Sequence, residues 1–199
     1  MSRAAESLVV LAPLWLEARA LRPALPGATL LRCGMGPRRA KRAAEQLARR
    51  VPAPRALAVA GVCASLDARF VPGDVLVASE LRGAGATRVL ESAKPLARAL
   101  EARGVHVHIG PILSVDHLVR RAERESLAAT GAIAVDMESA WLASLADRAP
   151  FAVLRVVSDG PGHELLSTRI VANGLRALRA LRAAAPALAT WANSLDGET

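Results

Sequence analysis

Val135-Asp136-Met137-Glu138-Ser139-Ala140, followed by Phe151-Ala-Val-Leu-Arg-Val-Val-Ser158-Asp159, decides how the chain is read. In the first stretch an apolar run, Ala132 to Val135, turns into a helix and carries Asp136 and Glu138 at the turning point. The second is an almost wholly apolar strand that ends on Ser158 and Asp159. In an α/β sheet, ligands bind beyond the carboxyl ends of strands, so two strand ends delivering acids make a candidate site. An ionised carboxylate only accepts hydrogen bonds and can take two from a vicinal diol, which suits a sugar. A carboxyl that kept its proton would serve as a general acid.

Upstream, short apolar runs alternate with helical patterns, so the chain reads as α/β. Leu8 to Ala12 is a buried first strand, and the helix after it carries Glu17 just past the strand end. Thr29 to Cys33 is a second strand, and Gly34-Met35-Gly36-Pro37 opens a helix reaching about Arg50. A glycine turn at a helix start presents free N–H groups, an arrangement suited to an anion, with Arg38 and Arg39 adding charge; an ordinary strand–helix turn explains it equally well. Ala56 to Ala60 runs into Gly61-Val62-Cys63-Ala64-Ser65, where small residues allow close approach of a ligand or backbone. Gly83 and Gly85 suggest a loop or short hairpin. His106 and His108 share a strand face without a third ligand nearby, so no metal site is expected. Asp116 reads as a helix N-cap or a site residue. Leu165 to about Ala184 forms an amphipathic helix that covers the sheet, and the tail from Asn193 is expected to fray.

At 199 residues the chain is one domain, 1–199, with no repeat or linker. Its 52% hydrophobic and 22% charged content fits a globular protein. The net charge of +8 comes from scattered Arg with no aromatic interleaving, which argues against a nucleic-acid partner. Cys33 and Cys63 lack a framework and read as buried thiols of a reducing compartment, so a cytoplasmic location is expected. The apolar run Leu8 to Leu16 contains Pro13 and is too short to span a bilayer.

Together, Val135-Asp-Met-Glu-Ser-Ala140 and Val153-Leu-Arg-Val-Val-Ser-Asp159 resemble the nucleoside phosphorylase and nucleosidase superfamily. Ala12-Pro-Leu-Trp-Leu-Glu17, Gly34-Met-Gly-Pro-Arg38, Gly61-Val-Cys-Ala-Ser-Leu66 with Pro72-Gly73-Asp74, and Ser114-Val-Asp116 fall in the family's order, so the likeness runs from Leu8 to about Gly160. The short length resembles the hopanoid-associated branch. The resemblance implies a three-layer sandwich with a mixed, largely parallel sheet flanked by helices. It also implies cleavage of a purine N-glycosidic bond, in adenosylhopane by the closest branch, with release of adenine. Carried over, Glu138 grips the ribose hydroxyls, Met137 packs under the sugar and Asp136 lies beside them. Asp159 protonates N7 with Ser158 orienting it, Asp116 and Leu118 flank the base, and Glu17 lies near the attacking water or the ribose. Gly34, Gly36, Arg38, Gly61, Val62 and Cys63 form an anion site if phosphate is the co-substrate; no other cofactor is implied. A homo-oligomer and a peripheral membrane contact for a lipid substrate are further expectations. Where the family carries glycines, this chain has Ala64 and Ser65, and the stretch from Glu80 to Gly110 is short. A methylthioadenosine/S-adenosylhomocysteine nucleosidase, or a binding protein that lost the chemistry, are the alternatives left open.

Overall fold

A computed structural model describes residues 8–49, 53–161 and 170–195. Eight strands alternate with seven helices: β1 (Leu8–Ala12), α1 (Trp15–Leu21), β2 (Thr29–Arg32), α2 (Pro37–Ala48), β3 (Ala56–Ser65), β4 (Val75–Gly83), β5 (Ala86–Val89), α3 (Ala93–Glu101), β6 (Val107–Ser114), α4 (Arg121–Ala128), β7 (Ala134–Asp136), α5 (Ser139–Leu142), β8 (Phe151–Asp159), α6 (Ile170–Ala184) and α7 (Pro186–Ser194). The mixed sheet flanked by helices agrees with the fold class read from the sequence.

Strands β1, β3, β7 and β8 are buried on both faces, so they read as near-continuous apolar runs. In β1, Leu8, Val10 and Ala12 face the layer of α1, α3, α6 and α7, together with Ala177, Leu181 and Trp191. Val9 and Leu11 face the opposite layer, with Ala40, Ala44 and Leu47 of α2 and Leu142 of α5. Strand β8 alternates in the same way: Ala152, Leu154 and Val156 on one side, Phe151, Val153 and Val157 on the other. A smaller cluster of Leu66, Ala132 and Val135 lies with Val115, Val119 and Leu127 beneath α4.

The sheet also closes on itself, which the alternating pattern did not foretell. Strand β8 runs parallel to β3 and antiparallel to β4. Strand β6 runs parallel to β4 and to β7. A register shift between Cys63 and Ala64 lets the end of β3 peel away from β8, and Ala64 and Ser65 then pair antiparallel with Val135 and Ala134 of β7. Strands β3, β8, β4, β6 and β7 thus form a ring, which brings Cys63, Asp136 and Ser158 to one place. Strands β1 and β2 extend it as an open parallel edge.

Other expectations shift at element ends. Gly83 and Gly85 do mark a hairpin: Gly83 pairs with Ala86 across Ala84 and Gly85, both at positive φ (55° and 80°), the conformation of a two-residue turn matching strand twist. The helix after Glu138 is one turn of α-helix followed by a 3-10 turn, Ala143–Asp147. Asn193 and Ser194 are the last residues of α7; the tail from 196, and the start of the amphipathic helix before Ile170, lie outside the described residues. Among the described residues, no helix is long and apolar enough to cross a membrane.

Candidate active site

The ends of β1, β3, β7 and β8 and the segment after β6 surround a cavity of about 200 Å³. Glu17, Met137, Glu138, Ser158, Asp159 and Leu118 line it, as read from the sequence, together with Asp136, Val62 and Cys63.

Glu17 is buried, 1% exposed, though a helical carboxylate ordinarily faces solvent. It stands at the third position of α1, and its Oε2 accepts the Leu14 N–H at 2.6 Å. Its Oε1 accepts the Val62 N–H at 2.7 Å. Burial drives its pKa up to about 7, with the Arg155 guanidinium and the two N–H groups pulling the other way.

Glu138 is held from the opposite side. Its Oε1 accepts the Gly36 N–H at 2.8 Å, and its Oε2 lies 3.6 Å from Arg155 Nη2. Burial raises its pKa as well, against the pull of Arg155. Asp136 differs: Oδ1 accepts from Ser114 Oγ and from the N–H groups of Glu138 and Ser139. Its Oδ2 accepts from Ser139 Oγ and pairs with Arg155 Nη2 at 2.6 Å. With both oxygens engaged inside the protein, Asp136 is not free to bind ribose; it fixes the turn that carries Glu138.

Arg155 is the residue that sequence reasoning missed. It is 0% exposed and lies among Glu17, Asp136 and Glu138, whose charges raise its pKa despite full burial. Three buried carboxylates therefore share one guanidinium. The signal was present: a single charge in a nine-residue strand otherwise apolar up to Val157. Gly61 is glycine because of this cluster. A Cβ there would meet Glu17 Oε1 at 2.6 Å and Arg155 Nη1 at 2.8 Å.

Asp159 faces the cavity from the end of β8. Its Oδ1 accepts from Ser158 Oγ at 2.9 Å, and that hydroxyl also lies 3.1 Å from the Cys63 carbonyl oxygen. Its Oδ2 pairs with Arg124 Nη2 of α4 at 2.5 Å. Arg124 was also overlooked, although helical spacing puts it on the side of Leu127 and Ala128, the face packed beneath α4.

Two groups of expected residues stand elsewhere. Asp116 points outward, its side chain 74% exposed and paired with His117 Nδ1; it caps no helix and does not line the cavity. His117 does line it, and bridges Asp116 to Glu123 at the start of α4, which raises the imidazole pKa. Of the anion-site set, Gly34, Gly36, Arg38 and Gly61 lie off the cavity wall, and Arg38 is exposed. The N–H groups of Gly36 and Val62 are taken by Glu138 and Glu17. What looked like an anion cradle holds the chain's own carboxylates.

The wall is apolar toward solvent. Leu14, Met35 and Leu118 line the cavity while 37%, 45% and 60% exposed. Trp141 packs against the core and does not reach the cavity, and Cys63 is a buried thiol whose pKa burial drives upward.

The family model described as "Phosphorylase superfamily" matches residues 26–189. No curated protein matches the sequence. Among solved structures, a futalosine hydrolase of Helicobacter pylori superposes with a TM-score of 0.80 at 16% identity, covering 92% of this chain and 97% of its own. A 5′-methylthioadenosine/S-adenosylhomocysteine nucleosidase of Campylobacter jejuni gives 0.78 at 16% identity, with 92% and 97% covered. The corresponding nucleosidase of Neisseria meningitidis, in complex with methylthio-immucillin-A, gives 0.73 at 18% identity, with 94% and 98% covered.

Proposed function

Because the chain belongs to the phosphorylase superfamily, we propose that it hydrolyses the N-glycosidic bond of a 5′-substituted adenosine, with water as the acceptor. One observation carries the choice of water. The Gly36 and Val62 N–H groups that a phosphate would need are already bound by Glu138 and Glu17. A dianion would also enter beside three carboxylates whose one shared guanidinium already pairs with Asp136 and Glu138.

Glycosidic cleavage passes through an oxocarbenium-like transition state. Glu138 and Met137 hold the ribose. Water attacks C1′, and its proton goes to Glu17, whose raised pKa suits a general base near neutrality. The C1′–N9 bond breaks, its electron pair leaves with the purine, and Asp159, oriented by Ser158, gives its proton to N7.

The apolar mouth at Leu14, Met35 and Leu118 fits an apolar 5′-substituent, of which the triterpenoid of adenosylhopane is the bulky extreme. A thioether is the compact one, and it is favoured by the substrate named for the structurally similar nucleosidases. A homo-oligomer with peripheral membrane contact belongs to the same reading.

The test is release of free adenine from a panel of 5′-substituted adenosines, adenosylhopane and methylthioadenosine included, with and without phosphate. Release independent of phosphate is expected, with the ribosyl product bearing a free 1′-hydroxyl. A strict phosphate requirement would overturn hydrolysis, and the panel ranks the two substituents.

A further inference from the structure

We propose that the face around the cavity mouth docks on an anionic lipid bilayer, with Trp15 and Leu16 entering the interface and the cations of α1 and α2 meeting the headgroups. The inference deepens the peripheral contact named above, and rests on the nucleosidase reading only for what the docked cavity receives.

Strands β1 and β2 run side by side in parallel, with Ala12 beside Arg32 at their ends. The chain leaving β1 carries Leu14, Trp15 and Leu16, and the chain leaving β2 carries Met35. Parallel pairing therefore brings the two exits to one edge. Leu14 and Met35 line the cavity there, and Leu118 lines it as well. Trp15 and Leu16 stand beside the opening without lining it, and both are more than half exposed. Glu17 is held inward by the N–H groups of Leu14 and Val62, so the two residues before it on the helix turn to solvent. Large apolar side chains gathered in the open at one mouth mark an interaction surface.

The charge around the patch decides the partner. Between Leu14 and Arg42 the sole acid is Glu17, which is buried in the site. Over the same span Arg19, Arg32, Arg38, Arg39, Lys41 and Arg42 are exposed. The Arg19 guanidinium carbon lies 5.4 Å from the centroid of the Trp15 ring. Arg39 lays its methylenes over Gly34, where a Cβ would meet its Cδ at 2.6 Å, so its stem is seated at the turn that carries Met35. Arg38, Lys41 and Arg42 follow along α2 at helical spacing. Asp116 and Glu123, near Leu118, are both engaged by His117. A tryptophan at the boundary layer, with arginines whose stems lie on apolar surface and whose heads reach outward, is the composition of a bilayer contact. A second copy meeting this face through a two-fold axis would set the same cations against one another. Anionic headgroups neutralise them instead. Docked in this way, the mouth opens toward the bilayer, and an apolar 5′-substituent reaches the site without crossing water.

The experiment mixes the full chain with vesicles of phosphatidylcholine, alone or with phosphatidylglycerol added, and measures bound protein by co-sedimentation. Affinity for the anionic vesicles should be about tenfold or more above that for the neutral ones, and should fall as salt rises from about 0.05 M to about 0.5 M. Brominated acyl chains should quench Trp15, because Trp141 and Trp191 pack in the core. Trp15→Ala with Leu16→Ala should weaken binding about tenfold or more. Arg19→Gln with Arg42→Gln should remove most of the preference for anionic vesicles. Val89→Ala removes an exposed apolar side chain from β5, at the other end of the strand order from β2, and should bind as the wild type does. Adenine release from a water-soluble 5′-substituted adenosine, without vesicles, should be the same in all four proteins. The proposal is overturned if neutral and anionic vesicles bind alike, or if the chains do not quench Trp15. It is also overturned if sedimentation velocity shows that Trp15→Ala with Leu16→Ala dissociates a dimer and leaves vesicle binding intact. Quenching of Trp15 in the wild type decides the matter even where a double variant fails to fold. Absence of adenine release in every protein would count against the nucleosidase reading, and the vesicle results would still judge this face.

Discussion

The two sides of the cavity treat buried carboxylates in opposite ways. On the side proposed for the base, Asp159 has a guanidinium of its own and a hydroxyl for its second oxygen. On the side proposed for the sugar, Glu17, Asp136 and Glu138 share Arg155 among them, and Asp136 takes the closest contact. Burial drives the pKa values of Glu17 and Glu138 upward, and the one guanidinium they share with Asp136 does not bring them back. The lesson is chemical: the group fit to take up a proton near neutrality stands on the side where one guanidinium serves three buried acids.

Removing the shared charge should break the comparison most severely. Arg155→Met leaves three buried carboxylates without a counter-charge, and loss of one member of a buried ion pair costs about 3–5 kcal/mol. Denaturant unfolding should show that loss at pH 8, where the acids are ionised, and a smaller one at pH 5. An equal loss at both pH values would mean that Arg155 matters for packing alone.

Glu17→Gln should come next. General-base assistance is worth about 10²–10⁴-fold in rate. The wild-type kcat/KM should rise with pH and level off above about 7, because the base works only as the carboxylate. In the variant that acid limb should vanish along with most of kcat. The same group gives a stability signature of fixed sign. The folded protein keeps a proton on Glu17 that the unfolded chain has released, so stability falls as pH rises from 4.5 to about 7. A wild-type limb well below pH 6 would place the base elsewhere.

Much of this was written in the chain. Alternating apolar runs showed the α/β class, and the strand ends at Glu138 and Asp159 pointed to the cavity that both line. The resemblance placed Glu17 there, although a carboxylate in the first helix read more readily as solvent-facing. What stayed hidden depends on pairing across long separations. Nothing local to Ala64-Ser65 or Ala134-Val135 announces that they meet, yet those two pairs close the ring. The occupation of the Gly36 N–H by Glu138 spans 102 positions, so the glycine turn read as vacant. Asp116 was misplaced because its neighbour His117, not a ligand, takes its carboxylate.

Gly61→Ala tests the cluster's tightness. The added methyl meets two atoms that each have fixed partners, Glu17 Oε1 and Arg155 Nη1, so neither can move away freely. A cost of about 1–3 kcal/mol is expected for such overpacking, with kcat falling more than KM rises because the base is displaced. Unchanged kcat in a destabilised variant would separate Glu17 from the chemistry.

The smallest effect should come from Arg38→Ala, and it sharpens the boundary of the sugar-side cluster. Arg38 stands exposed in the first turn of α2, next to a glycine turn with a free-standing claim to an anion. If Gly36 instead serves Glu138, the guanidinium has no ligand to assist, and kcat/KM should stay within about twofold, as for surface substitutions generally. Phosphate should neither activate nor compete in either protein. A loss that appears only with phosphate present would return the glycine turn to an anion and detach Glu138 from it. The three acids would then no longer be the neighbours that decide the acceptor.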